Sequence, residues 1–170
     1  MEKGENAPAV AAVPAGEQKA AAIDAKAAAL APVVPAASAL TDEALRVWKE
    51  RLIARLAEAT KGGARPEAYL KVFGAKPEAL KVVAASSEEL KVSVQGNTMP
   101  VAWAKLDRED CYQAARALGA EPAAADLALQ AVWARAAGHA STAEELLAKA
   151  RQGGAGEAFV TEAAALLAAK

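Results

Sequence analysis

Apolar positions change their spacing twice along this chain, and each change predicts a change of structure. From residue 45, Leu45, Trp48, Leu52 and Leu56 recur at intervals of three or four, with Ile53 beside them. That is the period of one helix face. Thr41 is a good N-cap for this helix, Asp42 and Glu43 suit its positive end, and Leu40 with Leu45 fits a hydrophobic staple. Lys61-Gly62-Gly63 supplies a stop. The period then becomes two. Leu80, Val82 and Ala84 alternate with Lys81, Val83 and Ala85; Leu90, Val92 and Val94 with Lys91, Ser93 and Gln95; Met99, Val101 and Trp103 with Pro100, Ala102 and Ala104. Three alternating runs predict three antiparallel strands over 80–103, with a further strand candidate at Tyr69–Phe73. A fourth strand there, or the Trp48 helix, would supply the cover that the meander needs.

Gly96-Asn97 marks the turn of the last hairpin. Pairing Gln95 with Thr98 sets Val94 against Met99, Val92 against Val101 and Leu90 against Trp103, all on one face. Pro100 would then fall where a two-residue turn needs its missing N–H, so the expected connection is a four-residue loop from Gln95 to Thr98, with that strand on an edge.

After Leu106 the helical period returns. Asp107 is the expected N-cap, with Asp110 closing a capping box, and that helix runs to Leu118-Gly119. A second helix is expected over about 122–137, with Pro122 in its first turn. A third starts at Ser141 or Thr142 and ends before Gly153-Gly154. A fourth covers about 157–169. The fold class expected is α+β: an amphipathic helix, a small antiparallel β-meander and C-terminal helical hairpins, behind an N-terminal tail.

Two stretches carry resemblances. The meander Leu80–Trp103, followed at once by Leu106-Asp107-x-x-Asp110, resembles a small SH3-like barrel closed by a capped helix. The acidic loop and aromatic ligand groove usual in that family are not evident, so the likeness does not imply recognition of proline motifs. Gly138-x-x-x-x-Ala143-x-x-x-Leu147-x-x-Ala150 is similar to the second helix of a tetratricopeptide repeat, with Trp133 and Ala137 coming from its first. One unit is visible where stable arrays need about three.

Composition qualifies this picture. Of 170 residues, 51 are alanine, while Leu, Ile, Val and Phe together number 33, so the core must be assembled from few large side chains. A buried methyl contributes about 0.8 kcal/mol, against roughly 1.5–3 for a leucine or phenylalanine. Residues 1–40 hold no aromatic residue, and Pro8, Pro14, Pro32 and Pro35 interrupt them. A disordered Ala/Pro-rich tail is expected there, with Gln18–Leu30 transiently helical. The resulting organisation is 1–40 tail, 41–106 helix plus meander, and 107–170 helical hairpin region.

Formal charge is −1, distributed as −1 over 1–40, +2 over 41–74, +1 over 75–106 and −3 over 107–170. Nowhere is there the basic domain of a dedicated nucleic-acid binder. A single cysteine forms no internal disulfide and suits a reducing compartment. The first residues lack a signal peptide's features, and Ile23–Leu40 is broken by Asp24, Lys26, Pro32 and Pro35, so neither secretion nor a membrane span is expected. The expected setting is cytoplasmic.

Catalytic constellations are sparse. The sequence contains no P-loop, no G-x-G-x-x-G, no G-x-S-x-G and no H-E-x-x-H. His139 is the single histidine, so zinc would need Cys111, His139 and distant carboxylates. A Cys111–His139 nucleophile pair can be drawn, but Cys111 reads as a packing residue and His139 as a ring at a helix C-terminus. Asp107, Glu109 and Asp110 cluster, and capping accounts for them. Trp48, Trp103 and Trp133 are in phase with apolar neighbours and read as core. Arg46, Lys49, Arg51 and Arg55 are scattered around their helix among Glu43, Glu50 and Glu58 and read as a solvated face. No catalytic, cofactor-binding or metal-binding residue is therefore assigned, and no cofactor is expected.

The expected function is a non-catalytic protein-interaction or scaffold module with a protein or peptide partner, and the chain is compatible with the terminal region of a larger multidomain protein. The alternative is a nucleic-acid-associated module using the small barrel and helix 46–55. An enzyme acting through Cys111 ranks third.

Overall fold

The computed structural model describes residues 40–168 apart from 73, 75, 120–121 and 155–156. The tail expected over 1–40 lies outside them but for Leu40. The elements in chain order are α1 (Asp42–Lys61), β1 (Glu67–Leu70), β2 (Glu78–Ala85), β3 (Glu89–Val94), β4 (Asn97–Ala102), a 3-10 turn (Trp103–Lys105), α2 (Arg108–Arg116), α3 (Ala124–Ala136), α4 (Ala140–Gln152) and α5 (Glu157–Ala168). The class is α+β.

Helix α1 starts where its cap places it. Thr41 Oγ1 accepts the Ala44 N–H at 3.2 Å. Leu45, Trp48, Leu52 and Leu56 are buried, and this stripe covers the sheet at β2. The sheet is a four-stranded antiparallel meander in the order β1-β2-β3-β4; β1 pairs with β2 and widens the sheet, and of the two anticipated covers it is α1 that lies over its apolar face. Its buried face carries Ala68, Leu70, Leu80, Val82, Leu90, Val92 and Val101.

Four details of the sheet correct the sequence reading. First, β1 lies at 67–70 and not 69–73: it ends where the Lys71 N–H leaves the ladder to donate to Asp110 Oδ1 at 2.8 Å. Second, β2 contains a bulge at Val83, because Val82 pairs with Val92 while Ala84 pairs with Lys91. The extra residue reverses the alternation, so Ala85, not Ala84, lies opposite Leu90 and packs on the core. Third, Trp103 begins the 3-10 turn and is not a strand residue.

The fourth concerns the hairpin. Val94 pairs with Asn97 and Leu90 with Val101, which is a two-residue turn at Gln95-Gly96 rather than a four-residue loop. The register moves by two positions, so every side chain keeps its face. Gln95 (φ 50°) and Gly96 (φ 87°) both take the left-handed conformation that a type I′ turn requires. Pairs alternate between bonded and non-bonded from the closing Val94/Asn97 pair, and Pro100 opposite Lys91 falls on a non-bonded one. Moving the turn one residue earlier thus removes the conflict that had argued for a wider loop. Because the turn geometry is explicit, Gly96→Ala is expected to lower stability by about 1–2 kcal/mol, and Gln95→Asn to raise it slightly. Urea unfolding in which Gly96→Ala is neutral would contradict the tight turn.

Helix α2 begins with the expected capping box. The Asp110 N–H donates to Asp107 Oδ1 at 2.8 Å, and the Asp107 N–H to Asp110 Oδ2 at 3.2 Å. Two later starts differ from expectation. The N-cap of α3 is Ala123, which leaves Pro122 just before the helix. The N-cap of α4 is His139, without a side-chain cap, so the helix opens at Ala140. Helices α3 and α4 form the most extensively packed pair, and α5 packs against both. The pair closes at Gly153, where a Cβ would meet the Ala124 Cβ at 3.0 Å. One continuous core runs from Leu45 on α1 to Leu166 on α5, and the sheet and the helical segment after residue 106 share it.

Candidate functional site

The side chains carrying chemistry do not form one constellation. Cys111 is on one face of α2, and Glu109, two residues earlier, is about 200° around the helix on the other. His139 belongs with Glu109. Its Nε2 is 2.7 Å from Glu109 Oε2 and its ring is tilted against Tyr112 with centroids 5.3 Å apart. An ionised carboxylate only accepts, so this His139 nitrogen carries the proton. Burial pulls the Glu109 carboxyl upward, but hydrogen bonds from Gln113 and His139 outweigh it and hold the group below the ordinary carboxylate range. Glu109 is thereby engaged at both oxygens and offers no free base.

His139 both follows the C-terminus of α3, as expected, and caps the N-terminus of α4.

Asp107 and Asp110 are spent on the capping box and on Lys71, so the three carboxylates do not converge. Among the described residues, no three His, Cys, Asp or Glu side chains are placed to hold a metal ion. No described helix is long and apolar enough to cross a membrane.

The basic residues of α1 correct the sequence reading. Arg46 is exposed as expected, but Arg51 and Arg55 are only partly solvated and each has a distant carboxylate partner. The Arg51 guanidinium lies against two rings that touch each other, 4.6 Å from the Trp48 centroid and 4.7 Å from that of Phe159, and donates to Glu162 Oε2 at 2.8 Å. Arg55 makes a two-pronged contact with buried Asp126 at 2.7 and 2.9 Å. These pairs tie α1 to α5 and α3. The sequence could not reveal them, because the partners are 71 and 111 residues away. Trp48, Trp103 and Trp133 are buried, as their phase implied.

What sequence reasoning missed is an open groove of about 660 Å³ where α1, the 3-10 turn, α2 and α3 meet. Its buried lining is Leu45, Trp103, Leu106, Cys111 and Trp133, and its charged lining is Asp42, Glu43, Arg46, Lys49, Asp107 and Arg108. Arg46 is paired with Glu43, and Arg108 with Asp42, both at 3.0 Å. Lys49 is different. Its Nζ donates to the Trp103 carbonyl at 3.3 Å and sits 5.8 Å from the Trp103 ring centroid. Among the described residues no carboxylate lies within ion-pairing distance of it. The only advance signal was a lysine flanking a core tryptophan.

Cys111 is in this groove and His139 is not among its lining residues. Burial pushes the Cys111 thiol up to about 12, with Lys49 opposing and Asp110 and Asp107 reinforcing the shift. At pH 8 only roughly one thiol in ten thousand would be thiolate, so the group is a poor nucleophile. Alkylation by iodoacetamide at pH 8 is expected to be slow in the native protein and fast in urea. Equal rates in both would show that the thiol is neither buried nor suppressed.

The second tryptophan of the groove, Trp133, keeps its indole N–H buried without a hydrogen-bond partner. Compared with models of protein families, with curated proteins and with solved structures, the chain shows no match to any of them.

Proposed function

We propose that this chain is a non-catalytic protein-interaction module that receives a protein or peptide partner in the groove between α1 and α2. The observation that carries this reading is the groove itself: a surface-open trough with two tryptophans in its lining and charges of both signs around them. Its charged perimeter, with Asp42, Glu43, Arg46 and Lys49, is of the polar kind that rims protein interfaces. The residues that could have run covalent chemistry support the same reading, since Cys111 is suppressed by burial and His139 is committed to Glu109.

The order of elements, a meander followed directly by a capped helix, supports the likeness to SH3-like modules. The burial of Ala143, Leu147 and Ala150 supports the likeness of α3–α4 to a tetratricopeptide hairpin. A lone thiol suits a cytoplasmic setting. The nucleic-acid reading draws on helix 46–55, where Arg51 and Arg55 are engaged by Glu162 and Asp126, leaving fewer cations for phosphates.

The test is site-specific photo-crosslinking in cells. A benzophenone side chain at Arg46, on the groove rim, is expected to give a discrete protein adduct, and one at Glu144, on α4 outside the groove, is not. Absence of any adduct at Arg46, or the same adduct pattern from both positions, would overturn the reading.

A further inference from the structure

We propose that α5 is an exchangeable helix: a backbone reversal at Gly153-Gly154 holds it against its own chain, and when that reversal straightens a second copy of this chain supplies α5 in trans. This stands apart from the interaction reading and from the groove. The reversal is a local device. Gly153 caps α4, its N–H donating to the Lys149 carbonyl at 3.0 Å. Gly154 takes φ 71°, a left-handed conformation that disfavours a residue with a Cβ about tenfold. The residues around these glycines favour continuation. Ala148-Lys149-Ala150-Arg151-Gln152 before them and Glu157-Ala158 after them are strong helix formers. Two glycines, and not a loss of helical preference in the flanks, therefore turn the chain back between α4 and α5.

The seat of α5 decides the occupant. Phe159 meets Trp48 edge-on, Glu162 accepts from Arg51 at 2.8 Å, and Val160, Ala163 and Leu166 are buried. If α4 runs straight on through Gly154, that stripe changes direction. The buried positions of α4 are Ala143, Leu147 and Ala150. At about 100° per residue, Val160, Ala163 and Leu166 fall roughly half a turn around the helix from them. A continuous helix thus carries α5 away from the core it covers and leaves Trp48 and Arg51 bare. The surface that matches both exposed halves is another copy in the same state. Each α5 then meets the other copy's Trp48 and Arg51, with the contacts and the opposite charges that one chain makes with itself. No new surface has to be complementary, which singles out a second copy over an unrelated helix.

The full chain is refolded at high concentration and its mass is read by light scattering on a sizing column. Gly154→Ala is expected to shift the balance from monomer toward dimer by about tenfold or more. Nothing lies within 4 Å of a Cβ at that position, so the change acts on the backbone alone, whereas Gly153 is kept because a Cβ there would meet Ala124 at 3.0 Å. The nature of the dimer is read by mixing two further variants, Arg51→Glu and Glu162→Arg. Within either chain, and in a dimer of either with itself, like charges meet at the seat of α5. Only exchange between the two variants puts opposite charges in both seats. Refolded together, they are expected to give a heterodimer that melts above either variant alone. A Gly154→Ala chain that stays folded and monomeric, or a mixture that elutes and melts as its two separate components, would overturn the inference. If Gly154→Ala fails to fold, the mixing result decides alone.

Discussion

Trp48→Ala is expected to cost about 3–5 kcal/mol, a large part of the roughly 5–15 kcal/mol that holds an ordinary domain together. Trp48 is 2% exposed and fully embedded between α1 and the C-terminal helices. Its ring meets Phe159 edge-on with centroids 5.0 Å apart, and Arg51 lies against both rings. Alanine would remove the transfer energy of an indole, leave a cavity and unseat a partly buried guanidinium. Trp48→Phe keeps one ring and should fall between the two. Urea unfolding is the measurement. A loss below about 1 kcal/mol for Trp48→Ala would mean that α1 and α5 are not held together through this ring.

The second large effect is expected at Asp110. Its carboxylate is 3% exposed and accepts from two backbone N–H groups, Lys71 at 2.8 Å and Asp107 at 3.2 Å. One contact begins α2; the other stops β1 and anchors the chain leaving it. Hydrogen bonds to a charged group contribute about 1.5–3 kcal/mol each and are not additive when they share an acceptor, so Asp110→Ala is expected to cost about 2–4 kcal/mol. Asp110→Asn, which retains one acceptor oxygen, should cost less. Asp107→Ala removes the cap alone and should cost about 1 kcal/mol. Hydrogen exchange at the Lys71 amide separates this from general destabilisation. It should accelerate in Asp110→Ala and remain protected in Asp107→Ala at matched stability. An unchanged Lys71 rate in Asp110→Ala would sink the assignment.

These two residues also show how far local sequence reaches. The capping box at Asp107 and Asp110 was legible because both partners are within four positions, but the bond to Lys71, 39 residues away, was not. The helical stripe that holds Trp48 was legible from spacing, but its contact with Phe159 was not. The same division explains the hairpin. Alternation determined which side chains share a face, and a two-residue shift preserves that, so the face was right while the register was not. The Val83 bulge left no periodic trace that distinguishes it from an unbroken run.

The apolar spacing, the caps at Thr41 and Asp107, and the glycines after α1 and α4 act over a few residues and need no distant partner, so most elements could be read along the chain. What the charged residues of α1 do, and where a groove opens, depends instead on how the elements pack together. Two arginines that look solvent-facing from helix periodicity find Glu162 and Asp126 because α5 and α3 fold back on α1. Lys49, on the side of the same helix toward the 3-10 turn, finds an indole and a carbonyl instead. The physical reason is range: hydrogen-bonded turns and periodic faces are settled between near neighbours, whereas ion pairs and grooves depend on which distant surfaces the burial of a scarce set of large side chains brings together.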